Sequence, residues 1–502
     1  MKQATKVFYI SIIIVGLFII WGVIPDHVLP NGNLDHVTSV IQQFITDRFG
    51  WFYLISATGF LVFSIYLIFS KYGRIKLGRP DDQPEFSYMS WFAMLFSAGM
   101  GIGLVFWGTA EPIMHYHNPP FGEGETMEAA KTAIQHSFFH WGLHPWAIYT
   151  TVGLALAYFK FRKNMPGVVS SVLYPLFGEK VKGPLGTAVD VIVVFATVFG
   201  VATSLGFGAI QISGGLTYVF GFEQTILMQM IIIVIVTVLF MFSAYSGISK
   251  GIKYLSNTNL ILAFLLMIFV LFLGPTQFIL ELFTNTIGSY VNNLPNMSLR
   301  MAPFDEGNAA WIDSWTIFYW AWWIAWAPFV GTFIARVSRG RTIREFASGV
   351  LLVPTLFGAL WFTVFGGSAI GLEFFEGVNL YDKITAMGED VALFALLEHF
   401  PFSLFTSIIG IFLVAIFFIT SADSATFVLG MQTTGGRMDP SNQIKFVWGV
   451  IQSATAAVLL WQGGLAALQT ASIIAAFPFT IIMILMVIAL VKAFQSETRL
   501  KS

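Results

Sequence analysis

The chain has 502 residues, 56% hydrophobic and 11% charged, with a formal net charge of −1 and a mean hydropathy of +0.76. So much apolar surface with so little charge describes a membrane protein, not a soluble domain. The lack of cysteine excludes disulfides, thiol nucleophiles and cysteine-ligated metal centres, and the balanced charge offers no footprint for nucleic acid.

Taken in chain order, twelve apolar stretches are long enough to cross roughly 30 Å of hydrocarbon. The first six run over about 8–25, 52–70, 88–114, 137–159, 186–210 and 225–246. The second six run over about 256–274, 311–335, 347–371, 399–422, 445–462 and 471–492. Lys2 and Lys6 ahead of the first stretch imitate a signal peptide, but no small-residue cleavage site follows, so a retained helix is expected. The loop charges test this count. With the N-terminus in the cytoplasm, all of the 26 lysines and arginines except Arg48, Lys131, Arg300 and Lys383 fall on the cytoplasmic side, as the positive-inside rule requires. The stretch Thr276 to Asn293 is amphipathic, and a thirteenth span there would scramble the alternation, so it is expected to lie along the outer surface.

These boundaries define one transmembrane domain. Residues 1–75 hold two N-terminal helices, 88–274 five more, 275–310 the external segment, 311–492 the last five helices and 493–502 a short cytoplasmic tail. The third stretch contains Ser97-Ala98-Gly99-Met100-Gly101-Ile102-Gly103, and the eighth contains Trp326-Ala327-Pro328-Phe329-Val330-Gly331. Interruptions in two stretches that cross in opposite directions are what an inverted-repeat transporter would show. The glycine run has two readings: close packing through the Gly99/Gly103 pair, or an unwound stretch whose amides and carbonyls face a ligand.

Between Trp315 and Trp326 the eighth stretch has five tryptophans in twelve residues. At about 100° per residue, Trp315, Phe318, Tyr319, Trp322, Trp326 and Phe329 share roughly a third of the helix circumference, with Trp323 at its border and Trp320 turned away. An aromatic belt at a membrane interface is one reading. Belts sit at span ends, whereas this stripe runs into the interior. A wall of π-surface suits a quaternary ammonium, which has no hydrogen to donate and gains roughly 0.5–2 kcal/mol per aromatic face. The fourth stretch adds Trp141, Trp146 and Tyr149, for which interfacial anchoring is the competing reading.

Glu111, Asp190 and Asp313 are the acids inside the span boundaries, and Asp423 follows the hydroxyls Thr420 and Ser421. Acids in such places are candidates for function, with helix capping as the alternative. The eight histidines are expected in or near outer loops, without a metal-ligand or triad arrangement, which argues against an enzyme. A channel would show linear, non-saturating flux.

At Gly99-Met100-Gly101-Ile102-Gly103, at His140-Trp141-Gly142-Leu143-His144-Pro145-Trp146, along Phe318–Trp326 and at Ala335–Glu345, the chain resembles the betaine/carnitine/choline transporter family, most of all its sodium-coupled glycine betaine carriers. The resemblance covers essentially the whole chain. It implies an all-α membrane protein of the leucine-transporter type, with a 5+5 inverted repeat behind two extra helices, commonly assembled as a homotrimer. It implies that Trp141, Tyr149, Trp322, Trp323 and Trp326 box the trimethylammonium group, that Ser204 and Phe318 line the same path, and that Met100, Gly101 and Gly103 meet the substrate's other end. One sodium site resembles the set Ser97, Met100, Phe417, Thr420 and Ser421, and a second would use Thr197 with Phe329. Here the chain departs from the pattern. Val201 stands where sodium-coupled members carry a hydroxyl residue, which leaves the stoichiometry open. No cofactor is implied beyond sodium as coupling ion. The expected setting is the bacterial inner or plasma membrane, with lipid around the protein and both termini cytoplasmic. Gly103 occupies a position where a choline carrier could present aspartate, which favours betaine. Choline, carnitine, ectoine and proline stay open as substrates, with proton coupling or exchange as alternative modes.

Overall fold

The computed structural model describes residues 3–24, 27–99, 101–246 and 249–499, with the side chains of 96–99, 245, 246, 249–253, 498 and 499 left out. Met100 and the side chain of Ser97 lie outside the described set. The described elements are helical throughout, apart from one isolated antiparallel bridge between Lys76 and Thr342. The principal helices are α1 (Lys6–Gly22), α2 (Leu34–Phe69), α3 (Tyr88–Gly99), α4 (Ile102–His117), α5 (Met127–Trp141), α6 (Leu143–Ala157) and α7 (Pro184–Phe220). They continue with α8 (Ile226–Ser246), α9 (Ser249–Leu273), α10 (Thr276–Ser298), α11 (Phe318–Val337), α12 (Ile343–Glu376), α13 (Ser403–Thr433) and α14 (Asn442–Arg499).

Among the described residues, eight helices are long and apolar enough to cross a membrane. The difference from twelve apolar stretches has local causes. The first stretch forms a 17-residue helix. The third divides at Gly101, whose extended backbone (φ −150°, ψ −174°) separates α3 from α4. The fourth divides at Gly142 (φ −99°, ψ −123°), where an added Cβ would lie 2.4 Å from the Phe138 carbonyl oxygen. Pro145 then occupies the first turn of α6, where its missing N–H is tolerated. The last two stretches are joined in α14 and separated by a kink at Gly463 and Gly464, the latter with φ +57°. The helix Glu306–Ile312 passes through a π-turn at Asp313–Ile317 before α11 begins.

The eighth stretch departs from expectation. Its predicted interruption around Pro328 is absent, because α11 continues without a break from Phe318 to Val337. A proline inside a membrane helix removes one N–H without unwinding it when its neighbours support the turn, and α11 is supported by α6, α7 and the long α14. Elsewhere α7 packs along α13 and α14, and α12 packs on α4. α10 buries Ile279, Leu282 and Tyr290 on one face against α5 and α12.

One end of this assembly is tied by a clamp. The loop after α2 pairs with the α11–α12 turn, with Leu77 N–H donating to the Arg341 carbonyl and Gly340 N–H to the Leu77 carbonyl, both at 2.8 Å. Arg341, only 1% exposed, places its guanidinium 4.1 Å from the Trp91 ring and 4.5 Å from the Tyr88 ring. It also donates to the Phe86 carbonyl at 2.8 Å. Trp91 in turn donates to Ser338 at 2.9 Å. The base of α3 is therefore fastened to the end of α11.

Candidate functional site

The two helix breaks and α11 converge on a buried cavity lined by Gly101, Ile102, Gly103, Leu104, Trp141, Pro145, Trp146, Tyr149, Ser204, Trp322, Trp323, Trp326, Pro354, Phe357, Gly358 and Ser421. None of these side chains carries a charge. Trp322 and Trp323 stack at 4.6 Å and 18°. Trp141 stands across them, 4.8 Å from Trp323 at 70° and 6.1 Å from Trp322 at 88°. Tyr149 contacts Trp323 and Trp326 at 6.3 and 6.4 Å. The Tyr149 hydroxyl and the Trp322 indole N–H are buried without a hydrogen-bond partner, so two of the residues that line the cavity, beside Ser204 and Ser421, carry an unpaired donor.

Gly103 makes this closeness possible. A Cβ there would fall 2.6 Å from the Trp322 ring and 3.0 Å from the Trp141 ring. The glycine run thus combines an extended break at Gly101 with a close approach at Gly103. Eight residues apart, Trp141 and Tyr149 would share a face of one continuous helix, but the structure places them on two. Trp141 ends α5 and Tyr149 lies in α6, and the Gly142 turn brings both to the cavity.

Most of the predicted ligand-binding residues meet here. Phe318 lies one layer back, stacked on Trp322 at 5.7 Å and 14°. Trp320 faces the other way, against His144 at 4.9 Å and 15°. Trp315 packs on His115 and Trp107. Trp146, whose competing reading was interfacial anchoring, is 5% exposed and lines the cavity. Sequence reasoning missed Pro354, Phe357 and Gly358 of α12; the proline and glycine four residues apart inside an apolar stretch were the available signal.

Of the residues named for sodium, Ser421 lines the cavity. Phe417 is buried, and the Thr420 hydroxyl donates back to the carbonyls of Ile416 and Phe417 at 2.9 and 3.3 Å. Thr197 donates to the Val193 carbonyl at 2.7 Å and lies 3.2 Å from the Gln432 side-chain oxygen. Phe329 packs on Trp326 and lines a second cavity with Arg336, Asp423 and Lys445. Asp190 caps the short helix Val169–Val172 by accepting from Ser170 at 2.7 and 2.9 Å.

The histidines overturn one expectation. His115 and His140 are fully buried with Glu111, their donor atoms lying within 4.8 Å of one another. Glu111 Oε1 meets His140 Nδ1 at 2.7 Å and His115 Nε2 at 3.2 Å, while Oε2 accepts from Trp141 at 2.7 Å and Tyr319 at 2.6 Å. Two partners on each oxygen saturate an ionised carboxylate. Glu111 therefore sits in a hydrogen-bonded network with no lone pair of its own left over, while His115 Nδ1 is buried without a partner.

Residues 6–499 match the family described as BCCT, betaine/carnitine/choline family transporter. The chain belongs to the betaine/carnitine/choline transporter family. As a member of it, this multi-pass membrane protein is a transporter and not an enzyme. It is 55% identical over 501 residues to the glycine betaine transporter OpuD of Bacillus subtilis (strain 168), covering 99% of this chain and 96% of that one. It is 46% identical over 499 residues to a probable glycine betaine transporter of Desulfitobacterium hafniense (strain Y51), covering 99% and 98%. It is also 45% identical over 482 residues to the ectoine/hydroxyectoine transporter of Virgibacillus pantothenticus, covering 96% and 94%.

Proposed function

We propose that this transporter takes up glycine betaine as an osmoprotectant, by sodium-coupled symport through alternating exposure of the aromatic cavity. The observation that carries the reading is the cage itself: Trp141, Tyr149, Trp322, Trp323 and Trp326 around one buried space with no charged lining side chain. Aromatic faces replace the hydration of a trimethylammonium group. A lining without formal charge suits a net-neutral zwitterion better than a net cation. The Tyr149 hydroxyl and Trp322 N–H are donors that a substrate carboxylate can use. The names carried by the relatives support the same substrate class. Ectoine is the second reading, favoured by the Virgibacillus relative.

The reading includes twelve spans in a 5+5 inverted repeat behind α1 and α2, α10 on the outer surface, cytoplasmic termini and a homotrimer in the cell membrane. Sodium donors would come from Ser97, Met100, Phe417, Thr420 and Ser421, with Thr197 and Phe329 as an incomplete second set. Uptake of labelled betaine into proteoliposomes tests it. Flux should saturate, require an inward sodium gradient and collapse in Trp326→Leu. Betaine flux indifferent to sodium removes the coupling, and flux indifferent to Trp326→Leu removes the site.

A further inference from the structure

Glu111 is not part of the cavity lining, yet its hydrogen bonds reach the cage from behind. It accepts from the single polar side-chain atom of Trp141, at 2.7 Å. It accepts as well from Tyr319, whose ring stacks on Trp323 at 5.8 Å and 18° and on Trp322 at 6.4 Å and 26°. His140 extends the network in two directions. Its Nε2 lies 3.0 Å from the Thr316 hydroxyl, and its backbone carbonyl accepts from the Trp323 indole at 2.9 Å. With the proton on Nδ1, a neutral His140 donates to Glu111 and accepts from Thr316, so one tautomer satisfies both neighbours. Of the five indoles that line the cavity, Trp141, Trp322 and Trp323 are thus fixed by, or stacked on a group fixed by, one carboxylate.

That carboxylate does a second thing. The cavity lining carries no charge, so the negative charge nearest to a cation held against Trp141 sits at the N–H edge of that same indole. In a buried, weakly screened setting such a charge acts over a full ring width. It also adds to the electron density that the ring face presents to a cation.

We propose that Glu111 is a positioning residue that sets the specificity of the cage: it locks Trp141 and Tyr319 in place and makes the uncharged cavity select ligands with a cationic head. The inference rests on the cage being the substrate site. It separates two roles of the network, geometry and charge, that a purely structural buried acid would not separate.

The test compares glycine betaine with 3,3-dimethylbutanoate, the carbon analogue that has the same shape and carboxylate but no positive charge. Binding of both to the full-length protein is measured in the unaltered chain and in Glu111→Gln, which keeps the size and one acceptor while removing the charge. Glu111→Gln should raise the betaine Kd tenfold or more and leave the Kd of the carbon analogue unchanged or lower. Equal weakening of both ligands, or of neither, overturns the proposal. If Glu111→Gln does not fold, Tyr319→Phe serves instead. Tyr319 does not line the cavity, so its loss reaches the ligand only through the network. A betaine Kd raised threefold or more is expected there, and an unchanged one overturns the proposal. Trp323→Ala is run alongside. Unaltered betaine binding in that variant defeats the cage reading itself, whereas lost binding there with an unaffected Glu111→Gln defeats only the role of Glu111.

Discussion

Replacing Gly103 by alanine adds one carbon where the backbone meets the rings of Trp322 and Trp141. The new Cβ would lie 2.6 Å from Trp322 and 3.0 Å from Trp141, about 0.8 and 0.4 Å short of the 3.4 Å at which ordinary contact begins. Both neighbours are rigid indoles held on their far sides, Trp141 by Glu111 and Trp322 by Phe318 and Trp323, so no flexible chain end can swing aside. One or both rings must rotate or retreat. Each cation–π face is worth about 0.5–2 kcal/mol, so disturbing two faces costs about 1–4 kcal/mol of binding. That corresponds to a rise in betaine Kd of about fivefold to several hundredfold. Tryptophan fluorescence titration of the purified transporter measures it, since the rings that move are the reporters. Gly101→Ala is the internal comparison. Its Cβ would meet Trp326 at an ordinary 3.6 Å on an extended backbone open to any residue, and its effect should be much smaller. A Gly103→Ala protein that binds betaine within twofold of the unaltered one, or a Gly101→Ala protein damaged equally, would refute the steric reasoning.

Two further expectations concern stability. Asp390, in the turn Glu389–Val391 outside the spanning helices, is 4% exposed, and burial pushes its carboxyl up to about 6 from the ordinary 3.8, against the lowering effect of the Gln224 amide. The folded state therefore holds this proton more tightly than the unfolded chain. The stability it contributes is full below about pH 3.8 and is lost as pH rises through about 6. In Asp390→Asn the fall in Tm between pH 5 and pH 8 should shrink, and an unchanged fall would exclude the carboxyl as its source. At the start of α12, Thr342 and Glu345 form a reciprocal capping box, Glu345 N–H to the Thr342 hydroxyl at 3.2 Å and Thr342 N–H to the Glu345 carboxylate at 2.8 Å. Thr342→Ala should cost about 0.5–2 kcal/mol and lower Tm in detergent, while Thr342→Ser restores it. A Tm identical in all three proteins would show that the cap is idle.

What the sequence made legible follows the range of the physical signal. The helical class and the apolar stretches come from composition over windows of about twenty residues. The shared face of Trp322 and Trp326 comes from the 3.6-residue period, and so does the outward turn of Trp320. Signals that depend on one residue's backbone were harder to read. Gly101 proved extended and Gly142 a break, while Pro328, with an equally suggestive neighbourhood, stayed inside a continuous helix because packing supported it. The π-turn before α11 leaves no composition mark. Glu111 stood out as a buried acid, but Trp141 and Tyr319, thirty and 208 positions away, cannot be paired with it by any local pattern. The residues of α12 that close the cavity were missed for the same reason.

The clamp at Arg341 gives the molecule a mechanical wiring that differs from its covalent one. Along the chain, α3 is continuous with α4. In space, α3 is anchored to the α11–α12 turn through Arg341 and to the start of α12, where Tyr88 donates to Glu345, and its link to α4 passes through the extended joint at Gly101, beside the cavity. A lever fastened at its foot and jointed at its tip delivers its displacement at the tip. A displacement of the α11–α12 turn would therefore reach the edge of the aromatic cavity through α3, and α4 could stay behind.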